Sequence, residues 1–220
     1  TISSALGGAA SLTKTGTGAL TLSGDGAGFT GRISNVAGST RIQSLDWSGA
    51  DFSLVGGTLL VDPLGTVAID SLVVSTATVN IAAGTALDVG GTLRFTDGLA
   101  GLVTGTGELT SSTGTLTVNS GSVNNGGLAT ADQRIFAEIA DGAGPVALVK
   151  NNNNQLSLSN ANTYAGGTTI NGGRVSFLGA GNLGTGDVTV NNGGQIYLTL
   201  GLTNNVSING NGASEAAGSL

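Results

Sequence analysis

Short runs of strictly alternating residues, each cut off by glycine or asparagine, recur from one end of this chain to the other. Leu20-x-Leu22, Leu59-x-Val61, Val79-x-Ile81, Leu93-x-Phe95, Leu116-x-Val118, Leu156-x-Leu158 and Val188-x-Val190 are examples. Period two places each apolar pair on one face of a strand and leaves Thr, Ser, Asn or Asp on the other. Leu60 and Ala68 break the alternation, which predicts rungs that are apolar on both faces. The strands are three to five residues long by this pattern. Turns such as "GGT", "AAGT", "NNGG" and "NGNG" separate them, because Gly and Asn accept positive φ at low cost.

Even-spaced short strands suit an antiparallel sandwich, a barrel or a solenoid, and internal repetition decides among these. "SLTKTGTGALTLS" (11–23) lies without a gap over "ALVKNNNNQLSLS" (147–159), pairing Leu12 with Leu148, Lys14 with Lys150, Leu20 with Leu156 and Leu22 with Leu158. With small gaps the match runs on to Phe29 against Tyr164 and Arg41 against Arg174, and back to Ile2 against Ile135. The chain thus reads as one unit with two large repeats, 1–133 and 134–220, the second incomplete. A repeat that buries its apolar face only against its neighbour is the physics of a β-solenoid. At on the order of 20 residues per turn, the prediction is about ten or eleven rungs and a rod near ~50 Å long. The run Asn151–Asn154 has two readings, a turn or an amide ladder along the axis. "ATADQRIFAEIADG" (129–142), the one stretch that could pass for a helix, reads as strand and turn through its match to "TISSALGG".

Composition narrows the function. Charged residues are only 9% of the chain and long helix formers are scarce, while 39% hydrophobic content excludes disorder despite 40 glycines. Seven bases against 13 acids, scattered with no basic stripe, argue against nucleic-acid binding. There is no Cys, His or Met, which removes thiol nucleophiles, the Ser-His-Asp triad and the usual zinc, haem and copper ligands. No apolar run approaches the length of a membrane helix, so no membrane insertion of that kind is expected. The chain starts at Thr1 with neither Met nor signal sequence, as expected of a processed or excised piece.

Four kinds of site come into question. Asp132, Glu138 and Asp141, near Arg134, form the densest acidic cluster, where a polysaccharide-cleaving β-helix would keep its carboxylates. The plainer reading is a solvated bend, and we expect no enzymatic activity. Calcium-loaded rolls need tandem Asp-bearing nonapeptides, which are missing, so no metal or other cofactor is expected. "TGTGAL" (15–20) and "GAGNLGTGD" (179–187) lack the strand-to-helix context of phosphate loops. Exposed rings would mark a sugar site: Trp47, flanked by Asp46 and Asp51, is one candidate, with core packing as its alternative. Tyr197, between inward-pointing Ile196 and Leu198, should face a groove or solvent. Trp47, Asp46 and Tyr197 are therefore the ligand-binding candidates, whereas Tyr164 and Phe29, at equivalent repeat positions, should pack.

"LSLSNANTYAGGTTINGGRV" (156–175) and, in degenerate form, "LTKTGTGALTLSGDGAGFTG" (12–31) resemble the autotransporter-associated β-strand repeat. The resemblance implies a right-handed parallel β-helix passenger domain of type V secretion, exported through the outer membrane of a Gram-negative cell and displayed there or released. Neither the family's signal peptide nor its translocator barrel lies within these 220 residues, so this piece is expected to rely on other segments for export. Such passengers commonly serve adhesion, aggregation or biofilm formation. The expected partners are a glycan or protein on a host or neighbouring cell, or like rods. The alternative is a structural stalk or extracellular fibre. The register also sets Leu158 inside and Ser157 outside, so a carboxylate should cost several kcal/mol at the first and under about 1 kcal/mol at the second.

Overall fold

In the computed structural model, which describes residues 1–96, 101–120, 133–179, 182–198 and 201–211, every strand pairs in parallel. There is no helix among the described residues. The strands stack as the expected β-solenoid, with about nine turns where ten or eleven rungs were expected. The chain visits three faces in order, turn after turn. Leu12–Lys14 lies on the first face, Ala19–Leu22 on the second and Gly28–Phe29 on the third, and Arg32–Asn35 returns to the first. Two long strands, Asp46–Val61 and Gly65–Ile81, run through corners and contribute to all three.

Parallel pairing in register sets like over like. On the first face the inward column is Leu12, Ile33, Phe52, Leu72, Leu93, Val118, Lys150, Ile170, Val190 and Ile208. On the second it runs Leu20, Thr40, Leu59, Val79, Val103, Ile135, Leu158 and Phe177. The third carries Val67, Leu87, Leu109 and Ile139. These columns interdigitate along the axis into one continuous core, which gains by removing branched apolar side chains from water on every rung.

Among the described residues the third face has no strand after Glu138–Ile139, and asparagine side chains join backbone bonds, such as the Thr163 amide to the Ile139 carbonyl (3.0 Å), in the ladder. The Ile139 amide donates to Asn162 Oδ1 (2.9 Å), and Asn162 Nδ2 donates to the Asn182 carbonyl one turn on (2.8 Å). Asn204 Nδ2 then donates to the Gly184 and Gly186 carbonyls (3.1 and 2.7 Å). The "NANTYAGG" stretch is thus a side-chain substitute for a strand. The helical alternative for 129–142 fails for its described part, since Gln133–Ile135 and Glu138–Ile139 are strands. Of its remainder, 129–132 lie outside the described residues.

One register expectation needs correction. Leu158 is buried as expected, but Ser157, on the opposite side of the same strand, is equally inaccessible. It shares a 2.8 Å hydrogen bond with Ser176 on the next rung and accepts one from Gln155 Nε2 (3.2 Å). Alternation fixed which way Ser157 points and said nothing of what lies over it. A charge there is costly, so the pair 157/158 does not report the register. Val79 and Asn80 do, one buried and the other exposed on Gly65–Ile81. Val79→Asp should lose several kcal/mol in chemical denaturation, and Asn80→Asp under about 1 kcal/mol.

Candidate functional site

The two lysines of the chain, Lys14 and Lys150, sit at the corner between the first and second faces. Their alternation with Leu12 and Leu148 turns both inward. Lys150 has no exposed surface, and Lys14 is half-buried. Neither ammonium has a carboxylate partner among the described residues. Each is held by backbone carbonyls instead, in the same pattern. Lys14 Nζ donates to the carbonyls of Thr15 (3.4 Å), Gly16 (2.7 Å) and, from the next turn, Ala37 (2.7 Å). Lys150 Nζ donates to those of Asn151 (3.2 Å), Asn152 (2.6 Å) and, from the next turn, Gly172 (2.7 Å).

The left-handed backbone of the corner aims these carbonyls. Gly16 has φ 75° and its counterpart Asn152 has φ 66°, the latter the one non-glycine at positive φ among the described residues. The next-turn carbonyls belong to residues preceding Gly38 (φ 71°) and Gly173 (φ 66°). A Cβ on Gly173 would stand 2.7 Å from Lys150 Nζ. Burial pushes the Lys150 pKa down to about 7, while three carbonyl acceptors, which only an ammonium saturates, pull the other way. Other polar side chains serve the same corner where lysine is absent: Asn35 Nδ2 donates to the Gly56 carbonyl (2.8 Å), and Ser120 Oγ to that of Asn151 (3.0 Å).

On the outside of this corner runs an amide ladder. Asn151 Nδ2 donates to Asn119 Oδ1 (3.0 Å), Asn171 to Asn151 (2.8 Å), Asn191 to Asn171 (2.7 Å) and Asn209 to Asn191 (3.4 Å). The asparagine run therefore divides its labour: Asn151 is a rung of the ladder and Asn152 is the turn. Asn154 is fully buried, with no hydrogen-bond partner for its side-chain amide among the described residues. Beside the ladder, the outward column of the first face is Thr117, Val149, Thr169, Thr189 and Ser207. From Asn119 and Thr117 onward neither column contains a charge, and Arg94 stands one rung before Asn119.

The three candidate ligand residues do not converge. Trp47 is on the third face with no exposed surface. Its indole N–H donates to Ser44 Oγ (2.8 Å), and its ring packs edge-on between Phe29 and Phe52, each 6.2 Å away. The packing alternative holds for it, and no ring face is left for a sugar. Asp46 is exposed, but its Oδ1 accepts from the amide and hydroxyl of Ser48 (3.1 and 2.8 Å). These bonds, the backbone one foremost, hold its pKa below the ordinary value. Tyr197, on the outer second face six turns further on, is 52% exposed, with the Arg174 guanidinium 5.3 Å from its ring centre. Phe29 and Tyr164 both pack inside, as their equivalence implied. The Tyr164 hydroxyl shares a 2.6 Å hydrogen bond with Thr168 Oγ1, and burial raises its pKa.

The acidic cluster is engaged in scaffolding. Glu138 Oε1 accepts from Thr163 (2.8 Å), and Asp141 Oδ1 accepts from the Val146 and Ala165 amides (2.7 and 2.9 Å). Arg134 lies against the Phe136 ring (5.8 Å), and Asp132 is outside the described residues. No group of three acidic residues could hold a metal ion among the described residues.

Residues 12–44 and 148–177 each match the family described as the passenger-associated-transport-repeat, the repeat of autotransporter passengers. Each match opens two residues before a carbonyl-held lysine. No curated protein and no solved structure matches the chain. The strained turn gives a test: Asn152→Val should cost about 1–3 kcal/mol because a β-branched residue resists positive φ. Asn152→Gly, restoring the residue of the first copy, should stay within about 1 kcal/mol of the wild type in urea denaturation.

Proposed function

We propose that this chain, which carries two autotransporter passenger repeats on a β-solenoid, is a passenger rod exported to a bacterial cell surface, where it acts in adhesion or self-association. The observation that carries the reading is the outer first face from Thr117 to Ser207, with its flanking amide ladder. The chain bears a net charge of −6, so two copies approach at least cost along an uncharged strip. Every ladder asparagine keeps an amide hydrogen and a lone pair not used by its neighbour, repeated at the rung spacing of roughly 4.8 Å. A periodic donor–acceptor edge suits a like rod, a glycan or an extended polypeptide.

Bonds of this kind compete with water and are individually weak, so the contact gains strength from length and from many tethered copies. The same reading gives the chain no enzymatic role, since Glu138 and Asp141 are committed to backbone amides and a threonine hydroxyl. A stalk whose sides bind nothing is the alternative.

Sedimentation velocity over a wide concentration range separates these. Weak side-by-side association is expected for the wild type, lost in Thr169→Glu/Thr189→Glu and kept in Thr76→Glu/Asn80→Glu, which adds the same charge elsewhere. A monomer at all concentrations would overturn self-association; binding to arrayed glycans or matrix proteins would then support adhesion, and its absence the stalk.

A further inference from the structure

We infer that the corner of each passenger repeat is a carbonyl cage for a monovalent cation, filled in cis by the ammonium of Lys14 or Lys150. Two copies built from different residues converge on one geometry. In both, Nζ meets the carbonyls of the two following residues and one carbonyl from the next turn, with the two short contacts at 2.6–2.7 Å. In both, the second carbonyl belongs to a residue at positive φ and the third precedes a glycine at positive φ. The backbone of the repeat is therefore shaped around a positive charge.

Rings of backbone carbonyls replace the hydration shell of monovalent cations in general. Here the ion is tethered to the chain, so it loses little entropy on binding. An ammonium donates three hydrogen bonds and accepts none, which matches three carbonyls one for one. No carboxylate balances the charge among the described residues, which distinguishes the site from a buried ion pair. Asn35 at the equivalent corner of the following turn reaches one carbonyl with one N–H, which is a hydrogen bond and not a cage.

The cage also joins successive turns, since Ala37 and Gly172 each lie one turn beyond their lysine. Each matched segment, 12–44 and 148–177, spans both turns, so the cage closes within one repeat. The ligand class follows from the acceptors: small primary ammonium ions, which carry three N–H donors. Anions and quaternary ammonium ions, which have no N–H to donate, are excluded.

Side-chain deletion with chemical rescue tests this. Lys150→Ala should lower the Tm, and ethylammonium chloride should raise it again, saturably and by several degrees. Tetramethylammonium or sodium chloride at equal ionic strength should not, and the wild type should not respond to ethylammonium. Should Lys150→Ala not fold, Lys14→Ala is the second variant, at the half-buried copy. A Lys150→Met chain as stable as the wild type would overturn the inference, and so would equal rescue by all three salts or by none. A third readout uses the wild type alone. At pH 5.5, nitrogen-15 spectra of the lysine side chains should show a slowly exchanging three-proton ammonium for Lys150. A rapidly exchanging neutral amine there would also overturn it.

Discussion

Everything in this rod depends on the parallel backbone ladder from each turn to the next. Because amide and carbonyl groups pair up and down the axis, a residue's neighbours are the residues at the same station one turn before and after. That single constraint makes columns, and columns make the molecule. Inward columns become branched aliphatic stacks, and an outward asparagine column becomes a chain of amide hydrogen bonds. Where the ladder is interrupted at corners or on the late third face, carbonyls and amides are left to find other partners, since buried unpaired groups are costly. Lysine, asparagine and serine side chains supply those partners, and they do so at repeat-specific places.

The columns were largely legible in the sequence. Alternation gave the inward residues and the gapless match of 11–23 with 147–159 gave stacking over any antiparallel arrangement. The lysines show both what was present and what was overlooked. Leu12-x-Lys14 and Leu148-x-Lys150 are in phase, so period two already placed both ammonium groups with the leucines. General expectation, that lysine belongs in solvent, hid that signal. Nothing in the alternation indicated what would satisfy the charge, because the partners are carbonyls and carbonyls have no sequence signature.

Burial on outward faces was the part that could not be read. Ser157 points away from the core and is covered all the same, while Tyr197, similarly placed two turns later, is half exposed. Trp47 shows the converse, flanked by aspartates in sequence yet enclosed between Phe29 and Phe52 from neighbouring turns. Period tells direction; cover depends on side chains about 20 residues away in either sense along the chain. The asparagine run resisted reading for a related reason: one residue type met three environments within four positions, and only the corner geometry separates them.

The charge distribution then links fold to surface. This solenoid covers its surface with few charged side chains, both lysines turned inward. Solubility must come from hydroxyls and amides, which bind water well but bind periodic donors and acceptors equally well. An acidic rod whose uncharged strip is also its most regular strip has little to repel a matching surface laid along it. Each rung adds one weak bond at a fixed spacing, so discrimination is poor over one turn and grows with every turn kept in register. On the proposed reading, rigidity turns such bonds into recognition, and the carbonyl-held Lys150 contributes to it by tying adjacent turns at the corner that carries the strip.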